Sequence, residues 1–219
     1  MSVHTYLSID TETGGLYPDR NPLLQVGCGI YAIDDSTLQF TTAFEGEWLL
    51  KPSQFPGTEM DKVALDKNGL DPAVLERDGY MAADVGKLIE EQLNVHEVHN
   101  ILGQNLRFDL GFLRKYLPET TSQALDSLRY KDLMDVSSDY NMMVCDDWDH
   151  MPSRSLGSMA ARLGVDNAHA HTALSDSRAT FFCMVELFKR FRMMSSILHS
   201  VKSIDSNLHL VKSLMVDLK

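Results

Sequence analysis

Two carboxylates follow a short β-prone segment near the start of the chain. Asp10 and Glu12 belong to the run 10–16, Asp-Thr-Glu-Thr-Gly-Gly-Leu, which comes directly after residues 5–9. On an extended chain, side chains two residues apart project from the same face. Carboxylate oxygens are the ligands that hard divalent cations prefer, so the pair predicts a cation site at a strand end. The alternative is a strand end with two solvated acids, because about one Asp-x-Glu pair is expected by chance at this acid content.

A third acid lies in an apolar setting. Asp109 falls within the run 105–113, Asn-Leu-Arg-Phe-Asp-Leu-Gly-Phe-Leu, and the pattern predicts a helix over 106–116. Its neighbours Leu106 and Leu110 belong to the apolar stripe of that helix, so Asp109 is not on a plainly polar face. Asp109 is therefore a cap, a ligand, or a charge near the helix start that stabilises the first turn.

A histidine and an acid stand together at the start of a predicted long helix, 172–194. His171 precedes Asp176 by five residues, which on a helix would place the two side chains about 140° apart. If Asp176 points inward, His171 belongs to the preceding loop, where it can swing over a site. The alternative is an exposed histidine and a surface acid.

The remaining pattern indicates the elements that must position these residues. Strands are expected over 5–9, 23–33, 37–50 and 98–103, and helices over 59–67, from 71, over 81–94, 106–116, 155–163 and 172–194. Strands followed by helices interleaved with strands predict a mixed-sheet α/β domain. The segment 126–150 holds seven aspartates, and its second half is expected to be a solvated surface loop.

The C-terminal residues carry a separate pattern. Apolar residues alternate at spacings of four and three: Ile197, Val201, Ile204, Leu208, Val211, Met215 and Leu218. This heptad stripe predicts an amphipathic helix over 197–218, and we divide the chain into a domain at 1–194 and a helical extension at 195–219. The stripe either docks on the body of the chain or forms a homodimer, and the dimer is slightly favoured.

The charge distribution limits the function. The 219 residues carry a net charge of −11, and residues 1–150 hold 26 acidic against 11 basic side chains. A protein that binds nucleic acid by charge alone would be basic. If a polyanion is the substrate, something other than bulk lysine and arginine must offset the repulsion, and bound divalent cations are the obvious candidate. Residues 151–219, with 5 acidic and 9 basic side chains, are the only basic part.

Several other classes are excluded by the composition. No apolar run approaches the ~20 residues of a membrane span, and no leader pattern opens the chain, so we expect a cytoplasmic protein without a membrane partner. Cys28, Cys145 and Cys183 are odd in number and widely spaced, which indicates neither a disulfide framework nor a zinc site.

The order of the three segments resembles the motifs of the DEDDh, or DnaQ-like, 3′–5′ exonuclease family. These are Asp-x-Glu-Thr-x-Gly-Leu from Asp10, Asn-x-x-Phe-Asp-x-x-Phe-Leu from Asn105, and His-x-Ala-x-x-Asp-x-x-Ala-Thr from His171. A Ser-Leu helix start at Ser155 and a Leu-Gly-Val end at Leu163 add to the resemblance, which covers about residues 5–190. It implies a ribonuclease H-like fold, in which a mixed five-stranded sheet is flanked by helices. Here a C-terminal amphipathic helix would follow. The acidic stretch 134–151 is longer than the family's usual connection.

The resemblance also implies a role for each motif residue. Asp10, Glu12, Asp109 and Asp176 would bind two Mg²⁺ or Mn²⁺ ions, and His171 would be the general base. Leu16 would wedge beside the terminal bases, with Thr13 and Gly14 near the terminal sugar. Asn105 and Phe108 would shape the floor of the pocket. Packing in the core is the alternative for Phe108, since aromatic residues at helical spacing are usually buried.

These implications predict a metal-dependent 3′–5′ exonuclease that releases nucleoside 5′-monophosphates from single-stranded 3′ ends, with DNA slightly favoured. The alternatives are an RNA-trimming exoribonuclease or oligoribonuclease, and a non-catalytic nucleic-acid-binding module. We expect the basic C-terminal third to hold the substrate backbone, and the candidates are Arg107, Arg178, Lys189 and Arg190.

Overall fold

Five strands form one mixed sheet in the computed structural model. The structure describes the backbone of residues 2–167 and 171–216. It also describes their side chains, except those of residues 148, 198 and 200–216. The strands are β1 Val3–Thr13, β2 Leu23–Asp34, β3 Phe40–Leu49, β4 Asn100–Gly103 and β5 Arg129–Asp132. Their order is β3-β2-β1-β4-β5. The first three are antiparallel neighbours, whereas β4 is parallel to β1 and β5 is parallel to β4. The predicted mixed five-stranded sheet is confirmed.

Local capping signals place the helices close to their predicted bounds. The helices are α1 Lys62–Asn68, α2 Pro72–Asp78, α3 Ala82–Val95, α4 Leu106–Tyr116, α5 Glu119–Asp126, α6 Leu133–Val144, α7 Leu156–Leu163 and α8 Ala173–Val216. The Asp71 side chain accepts a hydrogen bond from the backbone N–H of Ala73, and Ser155 does the same for Ser158. Gly164 ends α7 in the left-handed conformation. Side-chain caps and left-handed glycines satisfy the free backbone groups at helix ends.

The sheet separates two apolar clusters. One contains Val85 and Ile89 of α3 and Leu110 of α4, and the other contains Met159 of α7 and Phe181 of α8. Neighbouring residues on a strand point to opposite faces. Ile101 and Leu102 of β4 accordingly belong to different clusters. The sheet is therefore covered by helices on both faces, as an α/β domain requires.

The acidic segment differs from its prediction. Its second half was expected to be a solvated loop, but α6 continues to Val144, and β5 and α5 had no predicted counterpart. Asp132 caps α6, because its Oδ1 accepts a hydrogen bond from the backbone N–H of Met134 at 2.9 Å. The helix buries Leu133, Ser137 and Asn141. Val136 and Tyr140 of α6 are partly buried against the same cluster as Leu133, so the inward face of the helix mixes apolar and polar residues.

The two predicted C-terminal helices are one continuous helix. The backbone of α8 shows no break at residue 194 or 195. The side chains of the predicted stripe from Val201 to Met215 lie outside the described residues, as does Leu218 altogether. The domain division and the docking of the stripe therefore remain predictions. Within the part of the chain that the structure describes, no helix is long and apolar enough to cross a membrane.

Candidate active site

Three carboxylates converge where β1 meets α8. Asp10 and Glu12 project from the same side of β1, and Asp176 extends from the first turn of α8. Each offers an oxygen, and these three oxygens lie within 4.8 Å of one another. All three side chains are half-buried. The arrangement brings together residues that are more than 160 positions apart in the chain.

A glycine on β2 lets α8 approach this point. Gly27 pairs with Asp10 across the sheet. A Cβ atom at Gly27 would lie 2.1 Å from the Leu174 nitrogen and 2.2 Å from the Ala173 carbonyl carbon, so no other residue fits without displacement of the helix. The free N–H groups of Ala173 and Leu174 donate to Gln25 of β2 and Glu47 of β3 at 3.2 and 3.0 Å. The start of α8 is thus fixed on the sheet, directly beside Asp10.

Asp109 reaches the same cavity but is held by a different partner. Its buried Oδ1 accepts hydrogen bonds from the backbone N–H of Thr11 at 2.9 Å and from the Thr11 hydroxyl at 2.7 Å. Thr11 can donate because the parallel pairing of β1 with β4 ends earlier, at Ser8. Asp109 is not one of the three acids whose oxygens lie within 4.8 Å. Its role as a metal ligand remains a prediction.

Burial raises the pKa of each acid in the cavity, and repulsion from neighbouring cavity acids adds to the rise for Asp10 and Glu12. Burial raises the pKa of Glu12 to about 7, with a further rise from Asp176 and opposition from Lys67. Burial also raises the pKa of Asp109 to about 7, although its bonds to Thr11 act against this. Burial, followed by the charges of Asp109, Asp176 and Glu12, raises the pKa of Asp10 well above its usual range. A site that resists ionisation in this way is stabilised by a bound cation.

One oxygen in the cluster has no protein partner. Asp176 Oδ1 is buried and accepts no hydrogen bond from the described residues. Its other oxygen, Oδ2, accepts a long bond of 3.3 Å from the backbone N–H of His171. Buried acceptors are almost always satisfied in folded proteins. An unsatisfied carboxylate oxygen beside two further carboxylates fits a divalent cation.

His171 lies in the loop before α8, as predicted. Its backbone is in the left-handed region, with φ at 75°, and its side chain is exposed at the cavity wall. Non-glycine residues seldom adopt this conformation, and where they do the surrounding structure holds them there. The hydrogen bond from its N–H to Asp176 ties the histidine loop to the carboxylate cluster.

The cluster lies in a cavity of about 360 Å³. Of the residues assigned to substrate binding, Thr13, Leu16 and Phe108 line it. Gly14 and Asn105 do not. Gly14 packs behind the wall, where a Cβ would meet Pro22 at 2.6 Å, and Asn105 precedes α4 in the left-handed conformation.

Sequence patterns did not indicate the side of the cavity formed by α1. Val63, Lys67 and Asn68 line the wall, and Val63 is 81% exposed. The Asn68 amide donates to the Thr13 carbonyl at 3.3 Å, and Asp61 N–H donates to the Gly14 carbonyl at 2.7 Å. No described side chain of α1 is buried, so its sequence has no apolar pattern from which its contact with the cavity could be predicted.

The expected basic residues do not line the cavity. Arg178 pairs with Glu45, with distances of 2.7 and 2.5 Å between the guanidinium nitrogens and the carboxylate oxygens. Lys189 pairs with Glu186 on the same helix. Arg190 donates to the Tyr140 hydroxyl. Each of these three α8 side chains thus contacts another side chain of the protein and does not face the cavity. Arg107 lies on α4, away from the cavity wall.

A family model described as Exonuclease, RNase_T, matches residues 7–182. The chain belongs to this exonuclease family. The match includes every predicted site residue, from Asp10 to Asp176. The resemblance to the DEDDh exonucleases and the ribonuclease H-like fold are thereby confirmed.

The chain is similar to a ribonuclease, to a DNA polymerase and to an exonuclease of known structure. A ribonuclease T from Shewanella sp. (strain W3-18-1) is 25% identical over 197 residues, which cover 81% of this chain and 79% of that protein. A DNA polymerase III of PolC type from Thermotoga petrophila is 27% identical over 190 residues, 85% of this chain but only 12% of the polymerase. E. coli exonuclease I, solved with a dA16 oligonucleotide, is 25% identical with a TM-score of 0.66. That match covers 85% of this chain and 41% of exonuclease I, so the chain spans less than half of it.

Proposed function

We propose that the chain is a metal-dependent 3′–5′ exonuclease that releases nucleoside 5′-monophosphates from single-stranded ends. The observation that carries the proposal is the convergence of Asp10, Glu12 and Asp176 within 4.8 Å, with one buried oxygen of Asp176 lacking a partner. Membership of the exonuclease family supports this use of the cluster.

The four acids of the cavity would hold two Mg²⁺ or Mn²⁺ ions. Asp10, Glu12 and Asp176 form the common ligand set, and Asp109 would join it through its second oxygen, because Oδ1 already accepts two bonds from Thr11. When bound, such ions supply charge stabilisation to a phosphodiester and acidify a coordinated water. The positive charges of the bound ions would also offset the repulsion between the acidic cavity and the phosphates of a polyanion.

The chain's own residues divide the remaining tasks. His171 accepts the proton of the attacking water at a ring nitrogen, because its exposed loop position reaches the cavity. The water oxygen bonds to phosphorus and the P–O3′ bond breaks, so the terminal nucleotide leaves as a 5′-monophosphate. The released O3′ takes a proton from solvent water, and the shortened strand ends in a 3′-hydroxyl. Leu16, which is 70% exposed, and Phe108 offer apolar surface to the terminal bases.

Single-stranded DNA is the substrate that we slightly favour, and RNA is the second candidate. A solved E. coli exonuclease I holds a DNA oligonucleotide, which supports DNA. The ribonuclease T relative has the same identity and its match covers 79% of that protein, which supports RNA trimming. Contacts to the 2′-hydroxyl would decide between the two. A non-catalytic module is disfavoured because all four acids and His171 are present.

The test uses matched DNA and RNA oligomers, labelled at the 5′ end to show a ladder of shortened strands and at the 3′ end to identify the released product. We expect Mg²⁺-dependent release of 5′-mononucleotides from the 3′ end. Asp10→Asn and Asp176→Asn should each lower turnover by roughly 10³-fold or more, because each removes a ligand charge without opening a cavity.

The matched control is Asp78→Asn, an exposed acid that pairs with Arg77 on α2. It makes the same chemical change away from the cavity and should leave turnover unchanged. Near-normal activity of Asp10→Asn in Mg²⁺ would show that the site is wrongly assigned.

A further inference from the structure

A second concave surface lies on the outer side of α4. A notch of about 380 Å³ is lined by Arg107, Leu110 and Arg114 of α4 and by Tyr130 of β5. Residues three and four apart share one face of a helix. Arg107, Leu110 and Arg114 follow this spacing, so the two arginines lie on the same face, two turns apart. The notch thus combines two guanidinium groups with an aromatic ring, on a chain whose first 150 residues are strongly acidic.

The side chains of the notch are held in place. The Arg114 guanidinium donates through Nε and Nη2 to Asp126 at 3.0 and 2.6 Å, which leaves Nη1 for another acceptor. Tyr130 is 39% exposed and donates its hydroxyl to Asp132 Oδ2 at 2.9 Å. Burial raises the pKa of Tyr130 to about 12, while the nearby Arg107 opposes the rise. No ion pair among the described residues includes Arg107, so its charge is not neutralised by a carboxylate.

The notch and the cavity both include a residue from the first turn of α4. Phe108 lines the cavity, whereas its neighbour Arg107 lines the notch. Asp132 accepts the backbone N–H groups of Asn105 at 3.0 Å and Leu106 at 2.8 Å, and the same carboxylate accepts the Tyr130 hydroxyl. One buried carboxylate therefore fixes both the ring of the notch and the first turn that carries Phe108 and Asp109.

A glycine keeps the surface between the two sites low. Residues on a helix rotate by about 100° each, so Gly111 falls between Phe108 and Arg107 around the axis of α4. A Cβ at Gly111 would meet only Pro18, at an ordinary contact distance of 3.8 Å. Packing therefore does not require a glycine here, and glycine weakens a helix interior. Its effect is that no side chain stands between Phe108 and Arg107 on this face of α4.

We propose that this notch binds a nucleotide on the 5′ side of the scissile bond, with Arg107 and Arg114 on a phosphate and Tyr130 stacked on a base. The proposal rests on the proposed function, because the strand enters from the cavity. Arginine forms strong, charge-assisted bonds to phosphate. Stacking on an aromatic ring accepts any base, so the subsite adds affinity without sequence preference. Longer strands would be held better than a single nucleotide.

The test compares substrates that do and do not reach the notch. The short substrate is the p-nitrophenyl ester of thymidine 5′-monophosphate, and the long ones are oligothymidylate and oligouridylate of about 12 nucleotides. Arg107→Gln with Arg114→Gln should raise KM for the long strands by about tenfold or more and leave the ester within about twofold. The magnitude of the slope of log affinity against log salt should fall by about 0.7, the value for one phosphate contact on a single strand.

Two further variants separate stacking from hydrogen bonding. Tyr130→Ala should weaken binding of long strands by roughly 5- to 100-fold, the usual value for loss of one base stack. Tyr130→Phe keeps the ring and should bind long strands as the parent does. DNA and RNA strands should respond alike, since phosphate and base faces are common to both.

The matched charge control for the double-arginine variant is Arg77→Gln with Arg192→Gln. Arg77 pairs with Asp78, and Arg192 contacts the β2–β3 turn at the opposite end of the sheet.

The outcomes distinguish this subsite from the proposed activity. Equal losses on the ester and on long strands would show that the arginines act only through the structure of α4, and the subsite would be wrong. An unchanged KM and salt slope for long strands would also overturn it. Should the parent hydrolyse none of the substrates, the proposed function fails, and fluorescence anisotropy of a labelled oligothymidylate still tests the notch. Weaker binding by the double-arginine variant than by its charge control supports the subsite, and equal binding refutes it.

Discussion

Asp10, Glu12, Asp109 and Asp176 line one cavity, and the pKa of each acid is raised there. Burial is the largest cause for every one of them. Lys67 lies on the opposite wall and is the cation that opposes the rise in pKa of Asp10, Glu12 and Asp176. Without bound metal, the cluster therefore retains protons that ordinary surface acids lose.

The raised pKa values predict how the stability of the metal-free protein depends on pH. The pKa of Glu12 and of Asp109 is about 7 in the folded chain, against about 4 in the unfolded chain. Between these values the folded state binds more protons than the unfolded state, so the free energy of unfolding decreases as pH rises from about 4 to 7. Asp10→Asn removes one mutually repelling charge. It should raise the free energy of unfolding by about 1–3 kcal/mol near pH 7.5 in EDTA, and by much less near pH 4.5.

Urea denaturation at the two pH values measures this effect. Asp78→Asn is again the control, because that exposed acid has no part in the cluster. Added Mg²⁺ should stabilise the parent at the higher pH and stabilise Asp10→Asn much less, since a ligand that binds only the folded state adds to its stability. A less stable Asp10→Asn protein near pH 7.5 would contradict this account of the electrostatics.

The position of His171 predicts a separate effect on rate. His171→Ala should lower kcat by about 10²- to 10⁴-fold, the usual contribution of a general base, while stabilisation by Mg²⁺ is largely kept. His169, the nearby alternative base, lies outside the described residues. If His169→Ala were severe and His171→Ala mild, the base would be His169.

At the scale of elements, the site depends on how closely α8 approaches β2. Gly27→Ala would push the methyl group into the backbone of Ala173 and Leu174. These two residues begin α8, and Asp176 lies in the same first turn of that helix. We expect a loss of about 1–3 kcal/mol in the free energy of unfolding, the usual cost of an overpacked contact. Because Asp176 moves with the helix, kcat/KM should fall by about tenfold or more.

The control for this change is another glycine. Gly157 lies in α7, where a Cβ would meet nothing within 4 Å. Gly157→Ala should stabilise the helix by about 0.5–1 kcal/mol and leave kcat/KM unchanged. Chemical denaturation and steady-state kinetics on both variants give the comparison, and equal behaviour of the two would show that the approach of α8 is not critical.

At the scale of the whole molecule, the helix α8 runs without a break from the site into the C-terminal stripe. The spacing of the stripe still predicts a homodimer, with docking on the body of the chain as the alternative. We expect a dimer in light scattering at micromolar concentration. Val201→Asp with Leu208→Asp should convert it to a monomer, because two charges enter an apolar seam.

The matched control places the same charges beside the stripe. Ser203→Asp with Asn207→Asp alters intervening polar positions and should leave the dimer intact. A parent that is already monomeric at micromolar concentration would refute the dimer and favour docking within one chain.

Local sequence determined most elements and the residues of the candidate site. The sequence predicts the helix at 106–116 at its observed bounds, and α7, Leu156–Leu163, lies between its caps Ser155 and Gly164 as predicted. Caps, turns and apolar periodicity act within a few residues, so they are readable without the fold. The three motifs also specified the acids and His171, because spacing along a strand or helix places neighbouring side chains.

The tertiary structure alone decided how those residues meet. The Thr11–Asp109 bond, the wall formed by α1 and the fit of α8 against Gly27 join segments tens to more than a hundred residues apart. The segment after residue 126 also escaped prediction, since β5 is short and mostly exposed and α6 buries Ser137 and Asn141. Contacts between distant segments depend on packing and on buried hydrogen bonds, and neither leaves a periodic signal in the sequence.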